Sequence, residues 1–174
     1  MQNCVFFMLI LWVSPFYNKS TKQKERLIKK PELFLINHLL LLTGLSERTI
    51  RSYIASGILE GEKINGLWHF TPEQVEQFIS HPAVRPSILA KQNSIVYDFL
   101  LEDKKKNHEM CVVFDVPGAD KKELAYYFCY EIRNGAYSGI QFAFDGIPQT
   151  PRVILSGEPM QVMSLIQGYR NKHS

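Results

Sequence analysis

The sequence predicts an α+β fold: a winged helix-turn-helix, then a linker helix, then a small β-α-β-β-α unit. Three observations lead there. Two apolar stretches of helical period meet at Thr43-Gly44-Leu45-Ser46, a helix stop followed by a helix start. Asn65-Gly66 lies between two short apolar runs, the strongest two-residue hairpin signal. Beyond residue 109, β-rich runs at 110–116, 140–144 and 152–155 interleave with two helical patterns.

The elements follow in order. Phe34, Leu35, Ile36 and Leu39 to Leu42 predict an apolar helix over 34–42, closed by Gly44 in a left-handed cap. Ser46 is an N-cap residue, and 47–55 reads as a second helix with Ile50 and Ile54 turned inward. Arg48 and Arg51 are three apart and share another face. A helix fits the major groove of DNA, and an arginine forks two hydrogen bonds to guanine or grips phosphate. On spacing alone, two exposed arginines on a short helix are equally well solvated surface. Residues 60–70 then form a hairpin with Ile64, Trp68 and Phe70 at its apolar positions. Thr71-Pro72-Glu73 opens a third helix with a cap, a proline at its first position and an acid in its first turn. Val75, Phe78 and Ile79 give it an apolar stripe, and His81-Pro82 ends it.

Helix, turn, helix, hairpin, helix is an order that resembles the winged helix-turn-helix of MerR-type transcriptional regulators and of excisionase-like DNA-binding domains. The matching stretch is 36–70, about a fifth of the chain. Thr43-Gly44-Leu45-Ser46 corresponds to the family's turn, Arg48-Thr49-Ile50-Arg51-Ser52-Tyr53 to its recognition helix, and Gly57-Ile58-Leu59 to its exit. The resemblance implies that Arg48 and Arg51 contact bases or backbone and that Tyr53 contacts phosphate. Ser46 and Thr49 on the same helix start, and Lys63 and His69 on the wing, complete the candidate DNA-binding set. Two departures stand out: Leu40 replaces a usually small residue, and Trp68 stands where the family's wing commonly carries an arginine.

The second half begins after Pro82 and Pro86. Residues 86–101 read as a helix with Ile88, Ile95 and Phe99 along one side. That side either pairs with its copy in a homodimer, as MerR-type regulators do with a helix there, or packs within its own chain. A strand ends at Pro117-Gly118, and Asp120-x-x-Glu123 starts a helix running to Asn134 with Leu124, Phe128 and Ile132 inward. Ile140, Phe142 and Phe144 alternate as a strand with one buried face. A strand from Arg152 and a last helix from Pro159, with Val162, Leu165, Ile166 and Tyr169, complete a ferredoxin-like order without its last strand. The divisions are therefore 1–33, an apolar and basic extension; 34–82, the DNA-binding unit; 83–108, linker or dimerisation helix and loop; and 109–174, a small α+β domain.

The extension has an unbroken apolar run at 4–13, with its basic residues after it at 22–30. A secretory signal carries its charge before the apolar core. The run is about half the length that spans a bilayer core. It reads as an upstream extension, a peripheral membrane anchor, or a segment packed on the rest of the chain.

Charge and motifs narrow the function. The chain has a net charge of +3, unevenly placed: residues 1–30 hold six basic and one acidic residue, while 31–82 hold three and six. Phosphate neutralisation supplies most non-specific DNA affinity, so the DNA-binding unit alone should bind weakly and gain from pairing. Three widely spaced cysteines make no disulfide framework and suit a reducing, cytoplasmic setting. His108-x-x-Cys111 with Cys129 lacks the converging ligands a metal needs, and both thiols read as core residues. Tyr126, Tyr127, Tyr130 and Tyr137 either line a ligand pocket or form an aromatic helix face. No phosphate loop or nucleophile triad occurs, so no catalytic residue, metal or cofactor is assigned. The expected function is a transcriptional regulator that binds double-stranded DNA as a homodimer, with a C-terminal domain that senses an unidentified effector or assembles the dimer. The alternatives are an excisionase-like architectural protein without effector and a protein-interaction adaptor.

Overall fold

The structure, a computed structural model, describes residues 33–101, 108–134, 137 and 139–173. The apolar run at 4–13 and the basic stretch at 22–30 lie outside the described residues. Among the described residues no helix is long and apolar enough to cross a membrane. The fold is α+β, with six helices and two three-stranded antiparallel sheets among the described residues.

The first sheet is built from β1 (Phe34–Leu35), β2 (Glu62–Ile64) and β3 (Leu67–Phe70), in the order β1-β3-β2. β1 corrects the expectation of a helix beginning at Phe34. Leu35 is extended, with φ −110° and ψ 167°, and β1 pairs with β3 through Phe34↔Phe70 and Leu35↔His69. A third strand buries Phe34 and pairs backbone groups that a longer helix would leave at its end. Helix α1 (Ile36–Thr43) follows, and the Leu35 N–H donates to Nδ1 of the buried His38 at 3.3 Å. Gly44 closes α1 at φ +72°, its N–H donating to the Leu40 carbonyl at 3.0 Å. A Cβ there would lie 3.1 Å from the flexible Lys91 side chain, so backbone conformation carries most of the cost. Gly44→Ala is expected to cost about 1 kcal/mol in urea unfolding. An unchanged midpoint would contradict this cap.

α2 (Glu47–Ala55), α3 (Pro72–Ser80) and α4 (Arg85–Leu101) come next. Thr71 and Gln74 cap the start of α3 reciprocally, at 2.9 and 3.3 Å. The chain then turns through residues 81–84, where Val84 is fully buried.

The second sheet holds β4 (Met110–Asp115), β5 (Gln141–Asp145) and β6 (Arg152–Gly157), in the order β4-β6-β5. α5 (Lys121–Asn134) connects β4 to β5, and α6 (Pro159–His173) follows β6. Side chains alternate between the faces of a sheet. Phe142, Phe144, Val153 and Leu155 join Leu124, Phe128, Val162 and Leu165 in the main core. Phe128 is fully buried there, stacked on Phe142 at 5.7 Å and on Tyr169 at 5.8 Å. The other face is covered too. Ala143 and Ile154 pack against Ile95 of α4. β5 therefore has two buried faces, where its sequence pattern suggested one.

α4 spends its apolar side inside the chain. Ile88 and Ile95 are 2% and 5% exposed, and Phe99 is half-buried. Of the two roles open to that side, packing within its own chain is the one observed for Ile88 and Ile95. The first and second halves also share a core. Phe34 meets Tyr126 edge-on at 5.3 Å, and the Cys129 thiol approaches the His38 carbonyl at 3.9 Å. Lys122 of α5 bridges to Glu73 and Glu76 of α3 at 3.1 and 3.4 Å. Lys91 donates through Nζ to the Leu41 carbonyl at the end of α1, and burial pulls its ammonium down to about 8. Residues Glu32–Ser174 form one compact unit.

Candidate nucleic-acid interface

The candidate surface begins with how α2 is held. Ser46 caps it: Oγ accepts from the Thr49 N–H at 3.2 Å and lies 2.8 Å from the Thr49 hydroxyl. Both hydroxyls are occupied by the cap, so Ser46 and Thr49 set where the helix starts. Ile50 is fully buried and anchors α2 to the core. With Ile50 inward, Arg48, Arg51 and Ser52 face solvent. Arg48 has no ion-pair partner among the described residues. Arg51 grips Glu47 one turn back, Nε and Nη2 donating to Oε1 at 2.9 and 2.6 Å. An exposed pair of this kind holds weakly, so the guanidinium is available to a phosphate or base that offers more.

The hairpin stands beside this helix. Asn65 and Gly66 both have positive φ, 50° and 83°, and Ile64 faces Leu67 across the two-residue turn. Lys63 is exposed opposite Trp68. Trp68 is half-buried and lies nearly parallel to Phe70, with ring centres 6.4 Å apart. His69 is turned back on its own strand, Nδ1 lying 3.0 Å from the Leu67 carbonyl.

Arg51 and the hairpin tip meet across a groove. Glu47 and Arg51 form one wall, Gly66, Leu67 and Trp68 the other, and Leu35, Ile36, Asn37 and Leu40 the floor. Leu40, unusual for the resembling family, is thus partly exposed groove floor. Arg48, Lys63 and His69 do not line the groove. Asn37 was not foreseen as a site residue. Its Oδ1 is buried without a hydrogen-bond partner among the described residues. The available signal was the polar pair Asn37-His38 inside an otherwise apolar run.

Tyr53 is placed elsewhere. Its ring packs edge-on against Phe78 at 5.6 Å, and its hydroxyl donates to the Ala83 carbonyl at 3.3 Å. It ties α2 to the turn between α3 and α4, and a phosphate contact would have to displace that hydrogen bond.

The other chemistry-bearing residues are taken up by packing. Burial raises the Cys129 thiol well above its usual range, and Cys111 is half-buried on β4. Among the described residues no group of three or more His, Cys, Asp or Glu is placed to hold a metal ion. Tyr127 donates to the Leu165 carbonyl at 3.1 Å, and burial pushes its hydroxyl up to about 12. Tyr137 pairs with Ser164 at 3.2 Å, and Tyr126 stacks on Tyr130. The four tyrosines thus serve the surroundings of α5 rather than converging on one hollow. In comparisons with known proteins, no family model, no curated protein and no solved structure matches the chain.

Proposed function

We propose that this chain is a DNA-binding transcriptional regulator of MerR-like type, acting in the cytoplasm on a two-fold operator as a homodimer. Residues 34–82 serve as its winged helix-turn-helix, and residues 109–174 as an incomplete ferredoxin-like unit for sensing or assembly. The observation that carries the reading is the outward face of α2. Arg48 and Arg51 project from a helix capped at Ser46, with the Asn65-Gly66 hairpin beside it. A short helix offering two guanidiniums, next to a narrow two-residue turn, suits a major groove with the hairpin against the flanking backbone. Residues 46–70 hold three basic and three acidic residues, so binding depends on a few well-placed cations rather than on bulk charge. No reaction is assigned to the chain.

Selection from a random duplex pool, followed by gel shift across a salt series, tests the reading. Replacing Arg51 with alanine is expected to weaken specific binding by about 1–3 kcal/mol, and Arg48→Ala/Arg51→Ala to abolish selection. Arg51→Ala loses only an exposed pair with Glu47, so stability should stay within about 0.5 kcal/mol of wild type. A folded double variant that enriches the same sequences would remove α2 as the reading element. Failure of the wild-type chain to enrich any duplex rejects DNA recognition altogether.

A further inference from the structure

Among the described residues β4 is an edge strand. β6 pairs along one side, and among the described residues no strand pairs along the other. Soluble proteins blunt such edges with lysine, proline or a bulge. β4 has none of these. Its sequence, Met110-Cys111-Val112-Val113-Phe114-Asp115, is uncharged until its last residue, and its register with β6 runs unbroken from Met110↔Gly157 to Asp115↔Arg152. The opposite edge is different: every residue of β5 after Gln141 is buried.

Apolar side chains flank this edge on both faces. On the α4 side Val113 is 50% exposed, and Tyr97, Leu100 and Leu101 are more exposed still on the last turns of α4. On the other side α6 packs on β6, the strand beside β4. It starts two residues after Gly157, the partner of Met110, and its end at Tyr169, Arg170 and His173 faces the turn at Val116 to Asp120. One flank of α6, at Ser164 and Gly168, meets Tyr137 and Tyr127 of the α5 region. At 3.6 residues per turn Met163 lies on the opposite flank, where it is exposed.

We propose that the outer edge of β4 pairs antiparallel with β4 of a second copy of this chain, joining two three-stranded sheets into one across a two-fold axis. Symmetry restricts the register. Side chains alternate between faces, so an axis perpendicular to the sheet passes through a residue facing itself. Centring on Val112 sets Glu109 against Asp115 of the second copy, a like-charge pair. Centring on Val113 sets Val113 against itself, Val112 against Phe114 and Cys111 against Asp115, with no like charges opposed. It also puts the most exposed apolar side chain of the strand at the centre, where β-branched pairs stabilise a sheet. A second copy brings the same apolar flanks to both faces, which a strand of unrelated sequence does not. This pairing supplies the two-fold assembly that the proposed function uses, and it is measured without DNA, so the two fail separately.

Sedimentation of the full chain at micromolar concentration is expected to give twice the 20.1 kDa chain mass. Val113→Lys puts a charge at the two-fold centre and is expected to give the monomer with an unchanged circular dichroism spectrum. Tyr130→Lys, on the exposed side of α5, is expected to remain dimeric. Directly opposed residues lie roughly 4.5–5.5 Å apart at Cα, within disulfide range. Mildly oxidised Val113→Cys should therefore link two chains reversibly, well beyond the parent with its own cysteines. A monomeric wild-type chain, a dimer that survives Val113→Lys, or Val113→Cys linking no better than the parent overturns the proposal. If Val113→Lys unfolds, the Val113→Cys result alone decides it.

Discussion

Arg85→Ala is expected to destabilise the fold by about 3–5 kcal/mol, because it leaves a buried carboxylate without its cation. Arg85 opens α4, and its Nη1 and Nη2 donate to Oδ1 and Oδ2 of Asp145 at 2.7 and 2.8 Å. Asp145 ends β5 and is 6% exposed. Burial alone would raise its carboxyl; the Arg85 hydrogen bonds, with the Ile147 N–H at 3.0 Å, outweigh that and hold it below the usual carboxylate range. The pair fastens α4 across the second sheet, so its loss also loosens Ile88 and Ile95. Asp145→Asn should cost less, because the amide oxygen still accepts from Ile147 and the freed guanidinium is partly hydrated. A lowered carboxyl contributes stability above its unfolded value near 3.8, and that contribution fades as pH falls through the folded value. The deficit of Arg85→Ala should therefore narrow in acid, where Asp145 protonates. Urea unfolding at neutral pH and in acid measures both effects. A deficit below about 1 kcal/mol at neutral pH would show that water replaces the arginine and that the pair does not hold α4.

The second large effect is a loss of stability on mild acidification, traced to His38. Burial, with Arg133 nearby, lowers its imidazole from 6.5 to about 4. The ring stays neutral when folded, as it must for Nδ1 to accept from the Leu35 N–H. Between these two values the unfolded chain takes up a proton that the folded chain refuses. Stability is therefore full above pH 6.5 and falls as pH drops toward 4, by up to about 3 kcal/mol for this one group. His38→Asn keeps an acceptor for Leu35 and removes the titration. Its stability should be flatter across that window than wild type, even if lower at neutral pH from imperfect packing against Phe34 and Tyr126. Parallel pH profiles for the two proteins would take His38 out of the account.

Local signals in the sequence placed most element ends. Thr43-Gly44-Leu45-Ser46 stops one helix and starts the next, and α2 spans 47–55 as its cap and apolar spacing indicate. Asn65-Gly66 turns the hairpin, and Thr71-Pro72 opens α3. Each depends on residues a few positions apart, such as a side-chain cap or a backbone angle that glycine tolerates. The strand at Phe34 and Leu35 was hidden because its partner, β3, lies more than thirty residues ahead. Alone, that apolar run satisfies a helix equally well.

The same division runs through the candidate site. That Arg48 and Arg51 share an outward face follows from helix period once Ile50 is inward, and the sequence determines it alone. So are the α+β class and the β-α-β-β-α order of the second half. The tertiary structure decided what those surfaces are free to do. It turned Tyr53 onto Phe78 and Ala83, paired Arg51 with Glu47, and laid the apolar side of α4 on Ala143 and Ile154. It also joined Arg85 to Asp145, sixty residues away, and among the described residues left β4 at the edge of its sheet. Apolar periodicity states which face of an element avoids water; which neighbour covers it depends on long-range packing that buries the most apolar area while leaving the fewest polar groups unpaired.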